Sequence, residues 1–423
     1  MYTLLGATLA LTACVEDDKD LSQPKEPEKT TDLVISDDAD WTTTRSVNLS
    51  ITSPVATRVA IYTDESCTDA SLLTELPVSD VAKNIRLDVA KADGALYVQY
   101  PTSKGKEMMN IPLNMASTRA EALVKLPENV SGFDTSGGEG AYRYQWYPAK
   151  GETATLMMED NWPEMGDYDF NDFVIWYHTQ AIFFDGGDGT KDSYNADGIE
   201  FEITFRAMGG YLPYRLGLQL DQTSAKYIDE VIEINGNDLV KMELQNPGED
   251  APAIFIFTGT DQLRKQNNGG TFYNTEADHQ IATNDLVTIK YKLKMNCFGS
   301  LDKAKALWTA ATSENQNFFL QKEKNGGREI HLRGYEPTVY YSGSYAGEAG
   351  NNMRSDIKYC STDNFVWGIK VPVKLAHPRE KTDIMKVYSK FRSWITNPNF
   401  SMDGPEEYNE NWYKYLDSSQ VIK

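Results

Sequence analysis

The sequence predicts a mainly β protein, in which a small N-terminal β-sandwich precedes a larger, jelly-roll-like β-sandwich domain with a C-terminal helix. Short segments of roughly four to eight residues alternate apolar and polar side chains between Gly, Pro, Asn or Asp, as strands of antiparallel sheets do. The 24 Tyr, 16 Phe and 8 Trp favour strands. A hydrophobic fraction of 40% is typical of a chain that buries its own cores.

The order of domains follows from where these segments and their interruptions fall. Residues 32–130 contain short alternating segments, such as 46–51, and predict the small sandwich. Residues 131–140 are rich in Gly and Ser and predict a linker. Residues 141–423 contain longer alternating segments, such as 198–205, and predict the larger β-rich domain.

Near the C-terminus, apolar residues recur at intervals of three and four, which is the spacing of one helical face. This spacing predicts a single helix, capped by Thr382 and ended by Asn397-Pro398. We expect its apolar face to pack on a sheet, and a partner or membrane helix is the alternative. The apolar positions are Ile384, Val387, Tyr388, Phe391, Trp394 and Ile395.

Charge and composition exclude several classes of function. The formal net charge is −21 at pH 7, and so acidic a surface repels phosphate backbones, so we expect no nucleic-acid partner. Acidic sites that attract divalent cations or cationic partners remain. The chain has four His and four Cys and no C-x-x-C motif, which disfavours a zinc ribbon, a redox motif, a His-based metal site and a Ser-His-Asp triad.

The N-terminus predicts export. Residues 1–13 are expected to be a signal peptide, because their apolar run is too short to span a bilayer. The sequence Leu11-Thr12-Ala13-Cys14 resembles the lipobox of bacterial lipoproteins, and this resemblance implies that Cys14 becomes the lipidated first residue. An ordinary signal peptide, or an N-terminus without a targeting role, is the alternative.

Residues 14–31 are expected to form a lipidated acidic tether. Their acidic start, residues 15–20, resembles the tag that directs Bacteroidetes-type lipoproteins to the outer leaflet of the outer membrane. A solvated run of charges is the alternative. The resemblance implies an outer-membrane lipoprotein that is exposed at the cell surface and is held in the membrane by its lipid anchor.

The most informative segment is acidic. Asp167, Asp169 and Asn171 alternate, so an extended chain would direct their side chains to one face. Crowded carboxylates repel one another, and a hard cation such as Ca²⁺, which takes six to eight oxygen ligands, removes that cost. An acidic turn without metal is the alternative. The predicted calcium ligands are Glu159, Asp160, Asp167, Asp169, Asn171 and Asp172.

The same residues carry a family resemblance. Glu159-Asp160 followed by 166–174 resembles the signature of the LruC-domain family of exported bacterial lipoproteins. Residues 330–338, 367–372 and the aromatic segment 391–394 fit it as well, so that the resemblance covers about 141–415. It implies an outer-membrane location and a β-rich domain, and no established reaction.

Two further sites are predicted from residue types alone. A Gly-rich loop is a weaker second candidate for a cation, although a flexible hairpin loop is the favoured interpretation; its residues are Asp185, Asp188, Asp192, Asn195 and Asp197. An oxidising compartment favours disulfides, so we expect one between Cys297 and Cys360, with Cys67 left alone.

These features leave three classes of function, which differ in how well the sequence supports them. The favoured one is a surface protein without catalysis, structural, adhesive or binding, that calcium stiffens. The second is a carbohydrate-binding lipoprotein of a glycan-uptake system, for which Trp41, Trp146 and Trp162 are candidate stacking residues. Glycans and surface proteins are therefore the expected partners. An enzyme is disfavoured, because a glycosidase needs two carboxylates opposed across a cleft, whereas the acidic residues here are crowded together.

Overall fold

The strands of this chain arise where apolar and polar residues alternate. The computed structural model describes residues 27–113, 119–185, 197–322, 327–397 and 409–422, and within these ranges nineteen strands form three sheets. This confirms the predicted mainly β fold of packed sheets. The predicted signal peptide and Cys14 lie outside the described residues. None of the described helices is long and apolar enough to cross a membrane.

The first seven strands form the N-terminal part of the molecule. Strands β4, β1 and β7 make a three-stranded sheet in which β1 and β7 are parallel. It packs on β2, β3 and β5 through a core that includes Val47, Leu49 and Leu87. The strands are β1 (Thr44–Thr52), β2 (Thr57–Tyr62), β3 (Leu72–Val78), β4 (Lys83–Ala90), β5 (Ala95–Thr102), β6 (Gly105–Pro112) and β7 (Arg119–Lys125).

The later strands form two more layers. An eleven-stranded sheet runs β13-β16-β11-β10-β8-β3-β2-β5-β6, with β9 pairing β10 and β19, and a five-stranded sheet runs β14-β15-β12-β17-β18. The strands are β8 (Tyr142–Tyr147), β9 (Ala154–Met158), β10 (Phe173–Phe184), β11 (Gly198–Ala207), β12 (Tyr214–Ser224), β13 (Glu230–Asn235), β14 (Lys241–Leu244), β15 (Pro252–Thr258), β16 (Thr288–Lys294), β17 (Gln316–Lys322), β18 (Glu329–His331) and β19 (Gly368–Val371).

The largest core lies between these two sheets. Phe201 and Phe205 of β11 and Tyr177 of β10 face Leu218 of β12 and Phe318 of β17. A 12-residue β10 holds this layer together, because its first half pairs with β9 and its second half with β8. The large sheet also joins the two predicted sandwiches, since β3 hydrogen-bonds to β8.

The helices are short. They are α1 (Thr260–Arg264), α2 (Leu301–Ala310), α3 (Tyr345–Ala349), α4 (Ile384–Val387) and α5 (Phe391–Thr396). The single C-terminal helix expected from the sequence is therefore divided between α4 and α5. Tyr388 leaves the helical conformation because it pairs with Leu416 in a β-bridge, and its hydroxyl donates to the carbonyl of Ala376 at 2.6 Å. The capping side chain is Asp383, which accepts from Met385 N, and not Thr382.

The described end of the predicted tether is docked on this helical region. Residues Thr30–Asp32 form a 3-10 turn. The buried Thr30 donates from its backbone N and its Oγ1 to the carboxylate of Asp383, at 2.6 and 2.8 Å. Trp41 follows, and its ring packs against Phe391 and Trp394.

The predicted disulfide between Cys297 and Cys360 is wrong. Both thiols are free, as is that of Cys67. Cys360 is buried and its Sγ donates to Asn364 Oδ1 at 3.0 Å, whereas the backbone N of Cys297 bonds to Asp197 beyond the end of β16. The two cysteines occupy different environments, and the sequence carried no information on their separation.

Candidate metal centre

The acidic loop connects two paired strands. Met158, the last residue of β9, lies opposite Phe173, the first of β10, so residues 159–172 leave the sheet and return to the same place. This geometry puts Glu159 and Asp160 beside Asp172. The backbone N of Asp160 donates to Asp172 Oδ2 at 2.8 Å, which closes the loop.

Two buried aromatic side chains anchor the centre of the loop. Tyr168 and Phe170 have positive φ angles of 56° and 50°, which is uncommon for residues other than Gly. Their rings lie 5.4 Å apart in the core that contains Phe391. The burial of these rings fixes the backbone that carries Asp167 and Asp169.

Three carboxylates converge on one point. Oxygen atoms of Glu159, Asp167 and Asp169 all lie within 4.8 Å of one another, which is close enough to hold one metal ion. Glu159 and Asp169 are buried, whereas Asp167 is exposed. Glu159 Oε1 accepts from the backbone N of Phe170 at 2.7 Å, but its Oε2 is buried with no hydrogen-bond donor among the described residues.

The other predicted ligands surround these three. Asp160 Oδ2 accepts from Leu212 N at 3.2 Å, so this carboxylate holds the loop that follows β11. Asn171 Nδ2 donates to the carbonyl of Pro378 at 3.3 Å, while its buried Oδ1 has no donor in the described structure. The cluster that these residues form, Glu159, Asp160, Asp167, Asp169, Asn171 and Asp172, is called the acidic cluster below.

Burial and mutual repulsion raise the pKa values of the carboxyl groups in the cluster. Burial, and then the charges of Asp172, Asp169 and Asp167, raise the pKa of Glu159 well above its usual range. Burial and the Asp167 carboxylate raise the pKa of Asp169 to about 8. Burial and Asp160 raise that of Asp172. A raised pKa favours the protonated carboxyl group, and a bound cation would displace that proton.

The basic side chains nearby do not cancel the effect of burial on the pKa values of the cluster. Burial raises the pKa of Asp167 although the charge of Lys381 lowers it, and burial raises that of Asp160 although Arg264 opposes the shift. At both residues the effect of burial on the pKa therefore exceeds that of the cationic group. Because all the donors are oxygen atoms, the chemistry fits a hard cation such as Ca²⁺ and disfavours zinc and copper.

Three glycines make room for the cluster. A Cβ on Gly166 would lie 1.9 Å from Glu159 Oε2, and one on Gly210 would lie 1.9 Å from Asp160 Oδ2. A Cβ on Gly209 would lie 2.1 Å from Asn171 Oδ1. The backbone N atoms of Gly209 and Gly210 also donate to the carbonyls of Asn171 and Asp172. This close approach requires glycine.

Comparison with known proteins gives the family. A family model described as "Domain of unknown function (DUF4842)" matches residues 196–413, more than half of the 423-residue chain. The chain belongs to this family. No curated protein matches it. The LruC-domain name is not confirmed by these comparisons, so that resemblance stays a prediction.

A solved structure is similar to this DUF4842 chain. It is a Bacteroides ovatus protein described as a "Putative lipoprotein", and it aligns with a TM-score of 0.66 at 22% identity over 87% of this chain and 99% of that chain. At this identity the similarity establishes the fold alone. The fold described above is therefore also found in an experimentally determined structure.

The acidic cluster precedes the DUF4842 match, but residues inside the match lie against it. Its carboxylates precede residue 196, whereas Gly209, Gly210, Glu380 and Lys381 lie inside the matched region. Lys381 N donates to Asp169 Oδ2 at 2.7 Å. Burial and Asp167 raise the pKa of Glu380 to about 7, so Glu380 belongs to the same electrostatic environment. The sequence analysis missed Glu380. The Gly209-Gly210 pair is the sequence feature that could have indicated a close approach between its loop and the cluster.

The other predicted sites are placed differently. In the second acidic loop, Asp188, Asp192 and Asn195 lie outside the described residues. Asp185 forms an ion pair with Lys83 at 2.8 Å. The buried Asp197 accepts from the backbone N of Phe184 and of Cys297, which gives it a structural role at the base of the loop.

The three candidate sugar-stacking tryptophans lie in the cores. Trp41 is 5% exposed, Trp146 is 6% exposed and Trp162 is 0% exposed. Trp162 stacks on Tyr345 with ring centroids 5.2 Å apart. These rings stabilise the fold and offer no open face to a sugar.

Proposed function

We propose that this chain is a surface lipoprotein of the outer membrane whose β-rich body is stabilised by one calcium ion, and whose role is structural, adhesive or binding rather than catalytic. The observation that carries the proposal is the orphaned, fully buried Oε2 of Glu159, which faces other carboxylates. A buried carboxylate oxygen without a partner is costly unless it gains a hydrogen bond or coordinates a metal.

The acidic cluster supplies a ligand set suited to calcium. Glu159, Asp167 and Asp169 would hold the ion, and the unpartnered Oδ1 of Asn171 is a further oxygen donor of the cluster. Calcium accepts six to eight oxygens in flexible geometry, whereas Mg²⁺ requires a stricter octahedron. The bound ion would fix the start of β10, the strand that pairs with β8, β9 and β11.

The lipoprotein part of the proposal rests on the N-terminal sequence. A short apolar run ends in Leu11-Thr12-Ala13-Cys14, and an acidic segment follows. The description of the Bacteroides ovatus protein agrees with this assignment. Attachment through three acyl chains would hold the protein stably, since a single chain binds a membrane only reversibly.

The absence of catalysis is proposed from the arrangement of the carboxylates. The two carboxyl groups of a glycosidase flank the bond that is cleaved and lie roughly 5 to 9.5 Å apart. In the acidic cluster Glu159, Asp167 and Asp169 converge within 4.8 Å, and two of the three are buried. Such crowding leaves no space for a sugar between them and suits a cation.

Thermal unfolding with calcium and with a chelator tests the calcium site. A ligand at one hundred times its Kd stabilises the folded state by about 2.7 kcal/mol. With an unfolding entropy of roughly 0.9 kcal/mol/K for a chain of this length, the melting temperature should rise by about 3 °C. Asp169→Ala should abolish the rise.

Glu164→Gln is the matched control, because Glu164 is an exposed carboxylate of the same loop outside the cluster. It should leave the calcium-induced rise unchanged. Identical melting curves of the unaltered chain in calcium and in chelator would refute the calcium site.

Mass spectrometry of the membrane fraction tests the anchor. The mature chain should begin at a Cys14 that carries acyl chains, and Cys14→Ser should release the protein from the membrane without changing its calcium response. Cleavage at another position, or an unmodified Cys14 in the membrane fraction, would contradict the proposal.

A further inference from the structure

A groove of about 950 Å³ lies between the three-stranded sheet and α2. One wall comes from β1, β4 and β7, the other from α2, and β8 contributes Arg143 and Gln145. Its size is at the upper end of pockets that bury small molecules, roughly 300–1,000 Å³. None of its lining residues belongs to the acidic cluster, so the groove is a separate site.

The charge of the groove is opposite to that of the protein. The chain carries a formal charge of −21, yet Arg86, Arg143 and Lys305 line the groove, and no Asp or Glu is among its described lining residues. Arg86 forms an ion pair with the neighbouring Glu314. Lys305 is exposed at the opposite wall. A cationic groove in an acidic surface favours an anionic ligand.

Arg143 is the deepest of these cations. It is 4% exposed, and its guanidinium lies 3.7 Å from the centre of the Phe183 ring. Burial lowers its pKa, although the charge of Asp185 opposes the shift, and Asp185 itself is paired with Lys83. Its Nε has no acceptor among the described residues. An anion in the groove would offset the cost of burying this charge.

The groove also offers an open aromatic face. Trp308 of α2 is 46% exposed and Leu123 of β7 is 89% exposed. Around them lie amide side chains that both donate and accept hydrogen bonds, among them Asn48, Asn84 and Gln222. A flat apolar surface surrounded by amides matches a sugar ring, which has one face of C–H groups and a rim of hydroxyls.

We propose that this groove binds an acidic oligosaccharide. Trp308 would pack on the apolar face of a sugar, Asn48 and Asn84 would bond to its hydroxyls, and Lys305 with Arg86 and Arg143 would attract its carboxylate or sulfate group. This site would give the surface lipoprotein a ligand that neither its family nor its acidic cluster defines.

A glycan array followed by calorimetry tests the proposal with the full chain, in calcium throughout. The array holds oligosaccharides that bear uronate, sulfate or sialate, together with neutral oligosaccharides of the same length. We expect binding to one acidic group and not to its neutral counterpart. Trp308→Ala should weaken that binding roughly tenfold, and Lys305→Gln about threefold. Added salt should weaken binding further.

Matched controls separate the groove from the rest of the surface. Leu301→Ala removes another exposed apolar side chain of α2, and Lys104→Gln removes an exposed lysine outside the groove. Both should leave the affinity unchanged, and all variants should melt like the unaltered chain. Any of four results overturns the proposal: no acidic glycan binds, the neutral counterpart binds equally, single-stranded DNA binds as tightly, or Trp308→Ala retains full affinity.

Discussion

Glu159 and Glu329 are both 0% exposed, but their surroundings differ. Both Glu329 oxygens have partners: Oε1 accepts from Thr338 Oγ1 at 2.7 Å, and Oε2 accepts from the backbone N of Thr338 at 2.8 Å and faces His331 Nε2 at 3.1 Å. Glu159, in contrast, has one bonded oxygen and one orphaned oxygen among carboxylates. The chain itself supplies hydrogen-bond partners for both oxygens of Glu329, whereas the second oxygen of Glu159 requires a partner from outside the chain.

The pKa shifts have opposite signs for the same reason. Burial raises the pKa of Glu329. The hydrogen bond and charge of His331, together with the two hydrogen bonds from Thr338, outweigh burial and lower the pKa overall. At Glu159, burial and the neighbouring carboxylates act in the same direction and raise the pKa. Burial alone therefore does not mark a candidate metal ligand. What distinguishes Glu159 is a buried oxygen without a donor in a group of converging carboxylates.

The largest effect is expected from removing the partner of Glu329. His331→Ala leaves a buried carboxylate without one of its hydrogen-bond partners and empties the space of a fully buried ring, so it should cost about 3–5 kcal/mol of unfolding free energy. Denaturant unfolding measures the loss, and His279→Ala, in a loop outside this network, should cost under about 1 kcal/mol. The gain from calcium should be unchanged in both variants. A loss that calcium restores would show that the two regions are not separate.

The next largest effect is that of pH on the stability of the calcium-free chain. Without calcium, the folded chain keeps a proton on Asp169 up to its pKa of about 8, whereas the unfolded chain releases it near pH 4. Stability should therefore fall as pH rises between these values, by about 1.4 kcal/mol per pH unit for each retained proton. From pH 5.5 to 7.5 the loss is about 2.7 kcal/mol.

Melting curves in chelator at several pH values measure this fall. Asp169→Asn should reduce the slope, because the amide does not titrate. Calcium should oppose the fall, since it binds the deprotonated carboxylates. Stability that rises with pH in the absence of calcium would contradict this prediction, because it would mean that the carboxylates are already ionised and that cationic groups neutralise them.

The sequence predicted what is local and missed what is distant. Alternation predicted the strands, and the acidic residues 159–172 were recognisable because they are contiguous. Glu380 and the loop that contains Gly209 and Gly210 lie beside the cluster although they are distant from it in the chain, and no local pattern connects them to it. The break at Tyr388 was missed because its β-bridge partner, Leu416, lies after the helix. The cysteine pairing failed because separation in space is a property of the whole fold.

A smaller effect is expected from filling the space beside the cluster. In Gly210→Ala the new Cβ would lie 1.9 Å from Asp160 Oδ2, so the loop or the carboxylate must move. Such overpacking costs about 1–3 kcal/mol and should also weaken calcium binding. Gly137→Ala is the control, because its Cβ would meet no atom within 4 Å and its backbone is extended. Equal calcium affinity in both variants would mean that this glycine is not needed by the site.

The smallest effect concerns a third buried carboxylate, that of Asp383. It lies close enough to Asp167 to raise the pKa of that residue, yet both its oxygens are bonded, to Thr30 and to the backbone N of Met385. Thr30→Val removes one of these bonds, the one from Oγ1, and keeps the one from the backbone N. The loss should be about 1 kcal/mol.

If orphaned oxygens define the metal site, the loss in Thr30→Val is the same with and without calcium, because Asp383 is completed by the chain in the way that Glu329 is. Thr283→Val, at an exposed 3-10 turn, is the control and should change stability by less than about 0.5 kcal/mol. A calcium affinity that falls in Thr30→Val would place Asp383 among the ligands. Nearness to the cluster, rather than an unpaired oxygen, would then decide which carboxylates bind calcium.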